Sequence, residues 1–170
     1  LKMSLTTLDI KEPGLNVLPP GVERHIIVAG GLTGLQIFPD DEIEIINDEG
    51  NQICEITCFD KDGKYDLGIL NLKENNKADF IKKILNNNDE SSLVTNYQLK
   101  KRNLNIANSK STVVFDKDTP AGEKLKFKSK DKCYAIFSAP NNEMLISDQN
   151  PSGDLTLFIK RAKIKNDKEL

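Results

Sequence analysis

Apolar and polar residues alternate along several short stretches of this chain. The clearest is Glu42-Ile43-Glu44-Ile45, whose period of two is typical of a half-buried β-strand. Runs with strand-like composition recur in both halves of the chain, over 24–28, 35–38, 52–59, 112–115, 124–128, 133–137, 143–146 and 154–159. Clusters of Pro, Gly, Asn and Asp separate them, as turns do. The pattern predicts a mainly β protein.

The middle of the chain has a helical period instead. A stripe of apolar side chains lies on one face of a helix predicted over 77–86, with Asn76 as its N-cap. The stripe comprises Phe80, Ile81, Ile84 and Leu85. This spacing predicts that the helix packs on the β core.

A second helix is predicted to follow, and to run through Leu104. Its N-cap is assigned to Ser91 or Ser92, because a serine hydroxyl can accept from the free N–H groups of a first turn. Three apolar residues are expected to form its inward face: Leu93, Val94 and Tyr97.

A passage of the first half recurs in the second half. Three pairs keep the same separation of 101 residues: Gly21 and Gly122, Pro39 and Pro140, Glu42 and Glu143. Copies of one β module usually pack together to close a core that neither closes alone. The repeat predicts two similar β lobes that form a barrel or a sandwich, with a one- or two-helix insertion between them.

These features predict a single domain over residues 1–170, the size at which about 70% of the unfolded surface can be buried. Its expected parts are a first β lobe over 19–72, a helical insertion over 76–104, a second β lobe over 111–162 and a tail or linker over 163–170.

Composition excludes some classes of function. Lys and Arg number 24 against 26 Asp and Glu, so the chain lacks the basic excess of a nucleic-acid binder. It has no apolar run long enough to span a membrane. Three cysteines without framework spacing fit a reducing cytoplasm. We therefore expect a cytoplasmic protein whose partner is another domain of the same chain or a protein subunit.

Few residues are candidates for chemistry. His25 is the only histidine, and imidazole is the usual general base and metal ligand. Glu55 is expected on the face of its strand opposite to Cys54, with Asp48, Asn51 and Gln52 in the preceding turn. A carboxylate beside amides could bind a polar small molecule or act as an acid or base. The alternative interpretation is a solvated sheet edge.

The cysteines and glycines give weaker indications. Cys54 and Cys58 are about 13 Å apart on a strand, too far to share one zinc, so we expect core packing and no metal site. The glycine-rich segment 30–34 is similar to a phosphate-binding loop but lacks its lysine. Lysines at every second position of 124–132 predict a solvated or edge-protecting strand face, or a face that meets an acidic neighbouring domain.

The stretch from Leu18 to Asp60 resembles a family usually labelled urea carboxylase-associated. The shared features are the turn Pro19-Pro20-Gly21, the turn Asp48-Glu49-Gly50-Asn51-Gln52, and an acid at position 55. The resemblance implies a compact β-rich domain. Some members belong to carboxyguanidine deiminases, which implies zinc-assisted hydrolysis for those members.

This chain departs from the family where the resemblance implies the catalytic centre. The family carries a later His-Asp pair followed by cysteine, and here no histidine follows His25. Similar domains also precede folate-dependent aminomethyltransferases of the glycine-cleavage T-protein type, which implies tetrahydrofolate in a fused partner domain and no cofactor in this segment. Three hypotheses remain: a non-catalytic accessory or interaction domain of an amine- or one-carbon-metabolising protein, a small hydrolase or deiminase, and a small-molecule binding protein.

Overall fold

A computed structural model of the chain describes residues 18–141 and 153–163. Its strands are β1 (Val22–Ile27), β2 (Leu32–Ile37), β3 (Glu42–Asn47), β4 (Cys54–Asp60), β5 (Asn76–Lys77), β6 (Lys110–Val114), β7 (Glu123–Lys128), β8 (Cys133–Ser138) and β9 (Leu155–Lys160). Its helices are α1 (Asp79–Leu85) and α2 (Glu90–Lys101), with a short 3₁₀ turn over Leu67–Leu70.

The strands form two antiparallel sheets. The first sheet has the order β1-β9-β3-β7, and the second has the order β2-β8-β4-β6-β5. A fully buried cluster that includes Ile27, Ile45, Ile56, Phe137 and Leu157 draws on strands of both sheets. The prediction of a mainly β, sandwich-like fold is confirmed, and the strands of the described residues do not close into a barrel.

Strands from the two halves of the chain share each sheet. The first sheet takes β1 and β3 from the first half and β7 and β9 from the second, and the second sheet mixes the halves in the same way. The separation of 101 residues recurs at the starts of three pairs of strands: β1 and β7, β2 and β8, β4 and β9. The expected superposition stays a prediction, because Glu143 and the strand expected over 143–146 lie outside the described residues, as does most of the tail.

Helix α1 packs on the outer face of the second sheet, as its apolar stripe predicts. Ile81, Ile84 and Leu85 are buried in a second cluster with Phe59 and Ile136. The expected start of the helix is wrong, since α1 begins at Asp79. Asn76 instead lies in β5, where its side chain donates to a buried carboxylate. Phe80 is only half-buried.

The expected orientation of α2 is wrong. The helix is capped by Asp89, whose carboxylate accepts from the Ser92 N–H, and it ends at Lys101. The residues it buries are Ser92, Thr95 and Leu99, while those expected to face inward, Leu93, Val94 and Tyr97, are more than half exposed. The burial of Ser92 leaves no unpaired hydroxyl, because the Ser92 hydroxyl donates to the Ile84 carbonyl at 2.6 Å.

The lysine-rich strand β7 lies at an edge of the first sheet, opposite to β1. Lys124, Lys126 and Lys128 are exposed, and Lys126 pairs with Glu44 at 3.5 Å. This placement agrees with the predicted solvated or edge-protecting face.

Replacement of Ile84 by alanine should lower the free energy of unfolding by about 2–5 kcal/mol, because the side chain is 6% exposed and its loss leaves a cavity between α1 and the sheet. Leu93→Ala, a matched change on the exposed face of α2, should cost about 0.5 kcal/mol or less. Urea denaturation of both variants measures the difference. Equal effects would contradict the assignment of the two helix faces.

Candidate functional site

Glu55 is a fully buried carboxylate on β4. Its Oε1 accepts the backbone N–H of Ile81 at 2.8 Å, in the first turn of α1. Its Oε2 accepts from the Asn76 side-chain amide at 2.8 Å and from the Ser111 hydroxyl at 2.9 Å. The side chain thus joins four elements, β4, β5, β6 and α1. It points away from the first sheet and towards the helices.

Burial raises the pKa of the Glu55 carboxyl, and the three hydrogen-bond donors oppose that rise. Thr57, on the same face of β4, is also buried and donates to the Lys110 carbonyl at 2.7 Å. The interpretation of this face as a solvated edge is therefore wrong. A carboxyl whose oxygens are occupied and covered can hold a helix in place, but no substrate contacts it without local opening.

His25 lies on β1, in the other sheet, and does not share this environment. Its Nε2 is 3.1 Å from Oε1 of Glu23, and both side chains are partly exposed. The structure therefore separates the two weak catalytic candidates, since Glu55 faces the helices on the far side of the second sheet.

Glu23 belongs to a network centred on Arg161. The guanidinium of Arg161 donates to both carboxylate oxygens of Glu23, at 2.8 and 3.0 Å, and to Oδ2 of Asp41 at 2.8 Å. Asp41 is 1% exposed and also accepts the N–H groups of Phe38 and Ala162 at 2.9 Å. The hydrogen bond from Arg161 is the main cause that lowers the pKa of Glu23.

The Arg161 network fastens the end of β9 to β1 and to the turn between β2 and β3. Sequence reasoning missed it, because Arg161 stands in a charged run that is typical of a frayed terminus, and it lies 138 residues from Glu23. No local pattern pairs residues so far apart.

The three candidate ligand residues of the turn before β4 fasten that turn to the second half of the chain. Asp48 accepts the Thr156 hydroxyl, and the Asn51 N–H donates to the Thr119 carbonyl at 2.8 Å. The buried Gln52 amide donates to the Pro140 carbonyl at 2.7 Å and accepts the N–H of Gly153 at 2.9 Å. These contacts position the turn.

Cys54 and Cys58 lie in the core, as predicted, and so does Cys133. Cys54, Cys58 and Cys133 are buried free thiols. Burial raises the pKa of Cys54, and a hydrogen bond with Cys133 is the main cause that raises the pKa of Cys58. Among the described residues, no group of three or more His, Cys, Asp or Glu side chains is placed to hold a metal ion. The side chains in the described part of the chain therefore do not form the zinc site that the resemblance implies for the deiminase members.

A groove of about 530 Å³ lies between α2 and the glycine-rich segment 30–34. Ile26, Val28 and Val94 are among its apolar lining residues, and Asp89 and Glu90 are among its polar ones. Carboxylates at this end of α2 disfavour the phosphate that a glycine-rich loop would suggest. Its Gly-rich segment also runs into strand β2 rather than into a helix.

Tyr134 lines the same groove. The side chain is 5% exposed, and its hydroxyl has no hydrogen-bond partner among the described residues. A Cβ at Gly34 would lie 2.0 Å from that hydroxyl, so only glycine leaves room for the ring. The Arg102 guanidinium lies 4.7 Å from the ring centroid. An unpaired buried hydroxyl is costly, so the Tyr134 hydroxyl is a buried polar group of the groove that lacks a partner among the described residues.

Comparison with known proteins gives one informative relative. The chain is 32% identical over 157 residues to the trimethylamine-oxide aldolase of Ruegeria pomeroyi strain DSS-3. The match covers 92% of this chain, and the chain spans only 20% of that enzyme's length. No family model matches. The chain is therefore similar to one part of a much longer enzyme.

A solved structure is also similar, but weakly. The crystal structure of a DUF1989 family protein from Silicibacter pomeroyi DSS-3 aligns with a TM-score of 0.47 and 9% identity, covering 84% of this chain and 80% of that one. This similarity is too low to assign a shared fold. Neither name includes a urea carboxylase or an aminomethyltransferase, so those parts of the resemblance stay predictions. No helix in the described part of the chain is long and apolar enough to span a membrane.

The raised pKa of Glu55 predicts the pH dependence of stability. The folded state holds the Glu55 proton more tightly than the unfolded state, whose ordinary pKa is 4.5. The contribution of this group is therefore complete below that pKa and is lost as pH rises through the folded pKa, at up to about 1.4 kcal/mol per pH unit. Glu55→Gln, which cannot ionise, should gain stability relative to the wild type over that interval.

Urea denaturation across this pH range measures the free energy of unfolding of the wild type and of Glu55→Gln. Subtracting one from the other removes the opposite contribution of Glu23, which is the same in both proteins. A difference that moves the other way as pH rises would mean that the hydrogen bonds to Glu55 outweigh its burial.

Proposed function

We propose that this chain is a non-catalytic accessory or interaction domain of a longer amine-metabolising enzyme. The observation that carries the proposal is the match to trimethylamine-oxide aldolase. This match covers almost the whole chain but only a fifth of the enzyme. The partner is then another domain of the same polypeptide or a protein subunit, and the compartment is the cytoplasm.

The placement of the candidate groups supports this proposal. Glu55 holds α1, Arg161 holds the end of β9, and Gln52 holds the turn before β4. His25 contacts a carboxylate that Arg161 already binds. A hydrolase needs a nucleophile or metal and a base within hydrogen-bond reach in one pocket. These residues serve the fold and do not converge.

The larger protein is proposed to include an aminomethyltransferase-like part of the glycine-cleavage T-protein type, with tetrahydrofolate bound there. This part of the proposal rests on the family resemblance. The full-length gene tests it directly, since a continuation without such a domain would remove it.

One observation favours a second candidate function, the binding of a small molecule. The groove beside α2 combines apolar walls with the unpaired Tyr134 hydroxyl, and ligand pockets usually pair apolar surface with few polar groups. Trimethylamine oxide, which the relative's name contains, offers methyl groups for these walls and an oxygen that accepts from the buried Tyr134 hydroxyl once the groove opens locally. The urea carboxylase-associated deiminase remains the alternative for an active enzyme.

The purified chain should neither release ammonia from urea, guanidine or carboxyguanidine nor consume trimethylamine oxide, with or without added zinc. Turnover that disappears in His25→Ala or Glu55→Gln, with the fold retained by circular dichroism, would overturn the accessory-domain proposal. Turnover that is the same in both variants would point instead to a contaminating enzyme or to a site elsewhere.

The binding candidate predicts that trimethylamine oxide shifts the amide resonances of the groove. Tyr134→Phe should weaken that binding about tenfold, the cost of one lost hydrogen bond. Tyr65→Phe is the matched control, because that hydroxyl bonds to Glu74 outside the groove. Binding that is unchanged in Tyr134→Phe, or no binding at all, would remove this candidate.

A further inference from the structure

Helix α2 exposes apolar surface at its centre. Leu93, Val94 and Tyr97 are 57%, 55% and 62% exposed. The side that packs on the protein carries Ser92, Thr95 and Leu99. A helix that turns three of its four apolar side chains outward and two small polar residues inward is unusual, because burial of apolar surface is the main driving force of folding. Contiguous exposed apolar surface often marks an interaction site.

The exposed face also carries charge of opposite sign at its two ends. Glu90 stands in the first turn, and Lys100 and Lys101 stand in the last. Spacings of three and four residues lead from Glu90 through Leu93 and Tyr97 to these lysines, so all of them lie along one side of the helix. None of the three charged side chains forms an ion pair within the described parts of the chain.

This order of charges is self-complementary. If a second α2 lies antiparallel across the first, with the two-fold axis at Thr95, Glu90 faces Lys100 and Leu93 faces Tyr97. Asp89 then faces Lys101 by the same symmetry. A two-fold interface needs one surface to match itself in this way, acid to base and apolar to apolar.

We propose that the exposed face of α2, formed by Glu90, Leu93, Val94, Tyr97, Lys100 and Lys101, binds a second copy of this chain in an antiparallel homodimer. The dimer would bury three apolar side chains from each copy and form two ion pairs of each kind. It does not depend on the proposed accessory function. Ile26 and Val28, which are also exposed and lie across the groove from Val94, extend the apolar surface beside the helix.

The charges favour a second copy over a different partner. A foreign domain could cover the apolar centre with any arrangement of charge, and symmetry about Thr95 would serve no purpose. A second copy requires that symmetry. Rim charges of this kind set orientation and specificity more than affinity, so the apolar centre would supply the stability and the ends would fix the antiparallel direction.

Sedimentation velocity over a series of protein concentrations tests the proposal on the whole chain. The wild type should show a monomer–dimer equilibrium. Leu93→Asp should weaken the dimer about a hundredfold, because it places a charge at the apolar centre of both copies. Glu90→Lys and Lys100→Glu should each weaken it about tenfold, because the two-fold axis repeats each new like-charge contact.

A charge exchange separates an antiparallel α2 contact from other dimers. The double variant Glu90→Lys/Lys100→Glu should restore the wild-type affinity. The two single variants, mixed in equal amounts, should form heterodimers more tightly than either forms homodimers. Lys124→Glu, on the exposed edge strand β7, is the matched control and should leave self-association unchanged.

Three results would overturn the proposal. One is a wild type that stays monomeric at the highest concentration. That result would mean that the α2 face is covered only in a longer polypeptide. Another is a dimer that Leu93→Asp leaves intact while the variant melts like the wild type. The third is a double variant no tighter than the single variants, which would place the contact in another direction or on another face.

Discussion

The packing of this protein depends on one constraint, the pairing of strands from both halves of the chain within each sheet. In the first sheet β9 lies between β1 and β3, and in the second sheet β8 lies between β2 and β4. Each of these central strands is buried almost throughout. Neither half can therefore complete a sheet without the other, and most contacts that hold the core join residues distant in sequence.

That constraint explains the positions of the buried polar groups. A sandwich built from interleaved strands must fix the ends of elements that no local turn connects. Arg161 does so for the end of β9, and Gln52 does so for the turn before β4. Glu55 does so for the helices, since it binds the first turn of α1 and the side chain that precedes the helix in β5. Buried polar groups of this kind are stable only when all their hydrogen bonds are made.

The sequence predicted those elements whose identity depends on local periodicity. Alternation of polar and apolar residues identifies β3, and the apolar stripe identifies α1 and its buried face. Both patterns indicate directly which face of the element is buried. Strand β4 shows the limit. Its residues are buried at six successive positions, since one face meets the first sheet and the other meets the helices. The period of a strand places Glu55 opposite Cys54, yet the burial of Glu55 cannot be predicted from the sequence, because its partners lie 21, 26 and 56 residues away.

Helix α2 shows why apolar residues alone do not identify a buried face. Ser92 and Thr95 pack inward because small side chains allow close approach and the Ser92 hydroxyl satisfies a carbonyl of α1. Leu93, Val94 and Tyr97 are then left outside, where they gain nothing from the fold of a single copy. A surface that the fold does not need, yet that carries apolar residues between opposite charges, is better explained by a contact outside the monomer. The same reasoning separates the parts of this chain: Glu55, Arg161 and the cysteines are explained by the fold, and the face of α2 is not.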